Sequence, residues 1–149
     1  MKAVLISIQA EHNSNIEAGL KKSELRTKAP KLTTPFKVYT YESGANGRHK
    51  VVNEWICKDI TTWLMYMGLP AHLSKVACVS NEYIWNYCDK GNKNIYEMHI
   101  SDLVIYDKPR ELSEFANGSS RLTFDDRGKI VLSGMKRPPQ SWCYVEELT

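Results

Sequence analysis

The segment that most restricts the fold lies at the start of the chain. Ala3-Val4-Leu5-Ile6-Ser7-Ile8 is a short apolar run rich in β-branched residues. Its length and composition fit a buried first strand rather than a helix. A buried strand needs partners for its backbone N–H and C=O groups, so the rest of the chain has to supply a sheet. At 149 residues the chain suits one domain spanning 1–149, and a folded chain of that size hides about 68–70% of the surface its unfolded form exposes. With 42% hydrophobic and 25% charged residues, the composition excludes wholesale disorder.

The remaining elements follow from local patterns. Ile16, Ala18, Gly19 and Leu20 fall in a weakly helical stretch that Asn13 or Ser14 can cap, and Gly19 would end that helix by taking the left-handed conformation. Ser23-Glu24-Leu25-Arg26-Thr27 reads as extended, so Glu24 and Arg26 share one face and Leu25 takes the other. Phe36 to Tyr41 alternates strongly and is a second clear strand, followed by a Ser43–Gly47 turn and a strand over Val51–Cys57. Thr61–Met67 and Pro70–Ala77 read as short amphipathic helical pieces on either side of Gly68. Ser80 is placed to cap a helix over Asn81–Cys88. Asn94–Tyr106 reads as a strand pair or kinked strand that Lys108-Pro109 stops. Glu111–Phe115 is turn-like and precedes Gly118-Ser119-Ser120. Asp125-Asp126-Arg127-Gly128 is a hairpin signal inside a two-stranded excursion near 121–135, and Trp142–Glu146 is the last strand. Strands outnumber helices, which predicts an α+β domain on a curled mixed sheet.

Charge is unevenly spread. Seven basic residues but only three acidic ones fall within the first forty positions, so that segment carries +4 of a net +3 chain. The excess is densest between Lys21 and Lys31, a patch suited to phosphates. No apolar run reaches the roughly 18–20 residues of a membrane-spanning helix. The N-terminus turns polar too soon for a secretory signal, so a cytoplasmic location is expected. Cys57, Cys78, Cys88 and Cys143 have apolar or aromatic neighbours and no close-spaced pairing with His12, His49, His72 or His99. They read as reduced thiols in or near the core, with no metal and no cofactor expected.

Gly19-Leu20-Lys21-Lys22-Ser23-Glu24-Leu25-Arg26 resembles the G-x-K-x-x-E-x-R signature of the ASCH domain, a branch of the PUA-like superfamily. Val38–Ser43, Met98–Leu103 and Arg137–Val145 resemble further family segments in the right order, the last as in prophage-associated bacterial members. The likeness runs across most of the chain, least so over Arg121–Met135. It implies a PUA-like fold, a small mixed β-barrel flanked by short helices, with a cleft at the signature that binds RNA or a nucleotide.

The residues allow that chemistry. Lys21 offers an ammonium charge and Arg26 a planar fork for phosphate or a base edge. Glu24 can accept from an exocyclic amine or hold Arg26. Tyr41 can stack on a base if it faces solvent. Gln140 and Ser141, held by the Pro138-Pro139 corner, are further candidate ligand contacts. His99 with Ser101 and Asp102 cannot be a triad by itself, because Asp102 points to the opposite face of a strand.

ASCH-like amidohydrolases that deacylate N-acetylated cytidine imply a second reading, a hydrolase acting on a modified nucleoside or on RNA. Lys21 matches their lysine, but Glu24 occupies the position of their threonine nucleophile, and a carboxylate does not replace a hydroxyl. Ser23 is adjacent but faces the other way. A hydrolase here would use Lys21 with Glu24 as general base, and Glu82 is a further acidic candidate.

Overall fold

A computed structural model describes residues 1–117 and 121–149; the Gly118-Ser119-Ser120 stretch lies outside them. The elements are β1 (Lys2–Gln9), α1 (Ala10–Glu17), β2 (Ser23–Arg26), β3 (Phe36–Ser43), β4 (Val51–Trp63), α2 (Leu73–Ala77), α3 (Asn81–Tyr87), β5 (Ile95–Arg110), β6 (Arg121–Phe124), β7 (Ile130–Ser133) and β8 (Trp142–Glu146). Single 3-10 turns occupy Met65–Met67 and Leu112–Glu114. Six strands form one mixed sheet in the order β2-β5-β4-β3-β1-β8, and β6 pairs with β7 in a separate two-stranded sheet. No helix among the described residues is long and apolar enough to cross a membrane.

The chain divides into two compact units, to both of which β4 and β5 contribute. Unit 1 comprises Met1–Ala10, Lys37–Glu54 and Val104–Thr149. Its centre is the strand expected from Ala3–Ile8. β1 runs parallel to β3, with Leu5 opposite Tyr39, and antiparallel to β8, with Leu5 opposite Cys143. All six residues from Ala3 to Ile8 are buried. Tyr39 and Tyr41 share a face of β3 and enter one core cluster with Ala3, Leu5, Val51, Phe115 and Val145. Tyr39 meets Phe115 edge-on at 4.9 Å. Val38 and Thr40 on the other face are equally buried, as befits an interior strand.

The turn after β3 needs glycine at Gly47, where a Cβ would stand 2.3 Å from the Ser43 carbonyl oxygen. In the β6–β7 turn the Asp125 carboxylate accepts from the backbone N–H groups of Arg127 and Lys129.

Unit 2 comprises Glu11–Phe36 and Trp55–Leu103. Here α2 and α3 supply Leu73, Ala77 and Ile84 to a core completed by Leu25, Met65, Ile95 and Cys88, the residue that follows α3. The Ser80 hydroxyl caps α3 by accepting from the Tyr83 N–H at 3.0 Å, as expected. Gly19 ends α1 in the left-handed region at φ 75°.

Four expectations are corrected. α1 starts at Ala10, so neither Asn13 nor Ser14 is its cap: Asn13 is a buried interior residue donating to Glu17, and the Ser14 hydroxyl donates to the Glu11 carbonyl. Thr61–Trp63 belongs to β4, not to a helix, because β-branched threonines and tryptophan suit a paired strand. Asn94–Tyr106 is neither a strand pair nor stopped at Lys108: β5 continues through Pro109 to Arg110. β2 pairs only with Tyr96–His99, so a residue lacking an N–H is tolerated farther along. The irregularity in β5 sits at Asp102, whose φ is 51°.

The cysteines are free, with Cys57 and Cys88 buried and Cys78 and Cys143 half-buried. Burial pushes the Cys57 thiol up to about 12, which leaves it inert as a nucleophile.

Truncating the centre of the unit 1 core tests this packing. Leu5 is wholly buried, and Leu5→Ala is expected to lower stability by about 2–5 kcal/mol, read as a reduced urea midpoint with unchanged slope.

Candidate functional site

β2 is four residues long and carries two different clusters on its two faces. It pairs antiparallel with β5, so Ser23 lies opposite His99, Glu24 opposite Met98, Leu25 opposite Glu97 and Arg26 opposite Tyr96. Strand alternation therefore sends Ser23 and Leu25 one way and Glu24 and Arg26 the other.

Lys21, Glu24 and Arg26 come together as the sequence suggested. Lys21 is drawn in just before β2, where its own N–H and that of Leu20 bond the Asn15 carbonyl behind α1. Its side chain is 3% exposed, and Nζ donates to the Ala77 carbonyl at the end of α2 at 2.6 Å. Nζ also lies 3.9 Å from Glu24 Oε1, and Arg26 Nε lies 3.8 Å from the same oxygen. Both separations exceed hydrogen-bond length. The other carboxylate oxygen, Glu24 Oε2, is buried and has no hydrogen-bond partner. Tyr87 on α3 stands close enough to feel Arg26 and Glu24. Burial raises its phenol above the ordinary value, and the Arg26 charge opposes that rise.

The other candidates belong to other elements of the chain. Tyr41 belongs to unit 1 and is only 7% exposed within its core, so it has no free ring face for a base; the stacking expectation is corrected. Gln140 and Ser141 are exposed residues of unit 1, where the Ser141 carbonyl accepts from the Ser7 N–H. Glu82 is exposed in the first turn of α3.

On the Ser23 face of β2, a cluster that the sequence did not reveal surrounds Glu97. Its carboxylate is 2% exposed. Oε2 accepts from Ser23 Oγ at 2.6 Å and Oε1 accepts from the Trp63 indole at 3.0 Å. His72 Nε2 is 3.4 Å from Oε1, and His99 Nδ1 is 3.8 Å from Oε2. The other nitrogen of His99, Nε2, is 2.8 Å from Thr61 Oγ1. Ser101, by contrast, donates to the Ile56 carbonyl, and Asp102 is exposed. Burial alone would raise the Glu97 pKa. The Ser23 and Trp63 hydrogen bonds, the His99 charge and the His72 contact more than offset it, and the group titrates below its ordinary 4.5. Among the described residues no group of three or more His, Cys, Asp or Glu side chains is placed to hold a metal ion.

The Glu97 shift fixes the sign of a pH effect. Because the folded pKa is depressed, the stabilisation is fully present above about pH 4.5, the unfolded value, and is lost as pH falls through the lower folded value. Urea stability of Glu97→Gln should therefore fall less steeply than that of the parent chain as pH drops below 4.5. Parallel acid limbs would contradict it.

No family model and no curated protein matches the chain. Solved structures do. The crystal structure of ASCH from Zymomonas mobilis superposes with a TM-score of 0.72 at 17% identity, covering 97% of this chain and 88% of that one. Two mutant proteins of the same ASCH give TM-scores of 0.71 and 0.69 at 16% identity, over 99% and 97% of this chain and 92% and 89% of theirs. With its mixed six-stranded sheet and short helices, the chain has the α+β fold of the ASCH proteins.

Proposed function

We propose that this protein binds RNA or a nucleotide-sized ligand through Lys21, Glu24 and Arg26. One observation carries the reading: Glu24 Oε2 is buried without a hydrogen-bond donor. Leaving such an acceptor unsatisfied costs about 1–3 kcal/mol, and more for a charged group. A ligand that supplies an N–H recovers that cost. The exocyclic amine or ring N–H of a nucleobase is such a donor, and the neighbouring ammonium and guanidinium suit phosphate. The likeness to ASCH structures supports the same reading at the level of fold, which by itself does not decide function.

In this reading the three residues divide the work. Lys21 is a buried point charge anchored on the Ala77 carbonyl, whereas Arg26 is the more accessible cation. Glu24 selects for a donor-bearing edge and against a purely anionic ligand. Lys22, Lys28 and Lys31 add long-range attraction that salt screens.

A thermal-shift panel of nucleosides, nucleoside monophosphates and short single-stranded RNAs, with mass spectrometry of the products, tests the proposal. A ligand at 100 times its Kd stabilises the fold by about 2.7 kcal/mol. Arg26→Gln is expected to weaken binding by about 10-fold or more. It should also flatten the salt dependence of RNA binding by about 0.7 for each phosphate that is no longer neutralised. Glu24→Gln should weaken bases while tightening inorganic phosphate, because the repelling carboxylate charge is gone. Turnover of any panel member that is lost in Glu24→Gln while the thermal shift survives would favour the hydrolase reading instead. No shift across the panel would contradict ligand binding at this site.

A further inference from the structure

We infer that Thr61, His99 and Glu97 form a second reactive site, an acyl-transfer site for carboxylic esters in which Thr61 is the nucleophile and His99 its base. The inference does not depend on nucleotide binding, because Ser23, which holds Glu97, and Glu24 point to opposite faces of β2.

The two ring nitrogens of His99 face different partners. Nε2 lies 2.8 Å from the Thr61 hydroxyl, and Nδ1 lies 3.8 Å from a carboxylate oxygen of Glu97. A hydroxyl on one side of an imidazole and a carboxylate on the other is the arrangement that activates an alcohol nucleophile. The carboxylate is fixed rather than free to swing, since Ser23 Oγ and the Trp63 indole each hold one of its oxygens. The imidazole is reachable from solvent, its side chain being 29% exposed, and Thr61 is half-buried. The 3.8 Å separation exceeds a hydrogen bond, but the gap closes when the imidazole gains charge, as catalytic contacts do on going from the free site to the transition state.

The chemistry balances on these residues alone. Thr61 Oγ1 adds to the ester carbonyl carbon while His99 Nε2 takes its proton. The tetrahedral adduct then collapses: the bond from acyl carbon to leaving oxygen breaks, and the imidazolium gives its proton to the departing alkoxide. An acyl-threonine and an alcohol result. Water next adds to the acyl carbon with its proton passing to His99, the bond to Oγ1 breaks, and Oγ1 recovers that proton. A carboxylic acid leaves and the site is restored. Glu97 touches no reacting atom; it is a positioning residue that stabilises the imidazolium in both steps.

The intact protein with p-nitrophenyl acetate tests the assignment, with nitrophenolate release followed by stopped flow and acetylated peptides located by mass spectrometry. The expected result is a burst of release with acetyl on Thr61. Thr61→Val and His99→Ala, checked for folding by circular dichroism, should each lower the burst rate by about 100-fold or more, while Thr61→Ser, which retains a hydroxyl, should still become acetylated at position 61. Glu97→Gln should lower kcat with KM unchanged. Ser23→Ala, which frees one hydrogen bond on the same carboxylate without touching the imidazole, should do so to a smaller degree. Release no faster than in buffer, acetyl confined to lysines or the N-terminus, or a Thr61 label indifferent to His99→Ala would overturn the inference.

Discussion

A carboxylate taken out of water must find donors or pay for their absence, and unit 2 buries two carboxylates with opposite outcomes. Glu97 has both oxygens occupied, by a hydroxyl and an indole N–H, with two imidazoles alongside. Glu24 has one oxygen between two cations that stand too far off to bond it, and a second oxygen with no donor at all. The first arrangement fixes an edge strand; the second leaves a buried acceptor unsatisfied, the oxygen to which our proposal assigns a ligand donor. Both depend on β2, whose alternation hands Ser23 to one carboxylate and carries the other itself.

The same strand explains how so short an element is held. Four residues of β-pairing are weak alone. Ser23 reaches Glu97, the Lys22 N–H bonds the Val76 carbonyl, and Lys21 bonds the Ala77 carbonyl, so β2 is tied to β5 and α2 together. Lys21 is thus part of the architecture as well as a charge beside Glu24. Losing either partner of such a buried pair would leave an uncompensated ion, which makes Arg26 the cleaner residue for separating binding from folding.

What was legible in the sequence was local. The apolar run of β1, the alternation of β3, the Ser80 cap and the glycine behind α1 each announce themselves within a few residues, because backbone geometry demands them there. The Lys21–Glu24–Arg26 cluster was legible for the same reason: its members are neighbours in the chain. The Glu97 cluster was not. Ser23, Thr61, Trp63, His72 and His99 arrive from β2, β4, the approach to α2 and β5, and no spacing rule links them. One signal did exist. Ile95, Glu97 and His99 alternate on a single face of β5, and a carboxylate in step with a core isoleucine implies a buried charge with partners to find. The length of β5 was obscured by Pro109, whose missing N–H ends an interior strand but not one unpaired on that side.

The central claim is that Glu24 Oε2 takes its donor from a ligand. Crystals of the protein soaked with individual nucleoside monophosphates test it most directly. The account predicts a base N–H within about 3.2 Å of Glu24 Oε2, with the phosphate toward Arg26. A nucleotide bound elsewhere, with that oxygen still lacking a ligand donor, would contradict it.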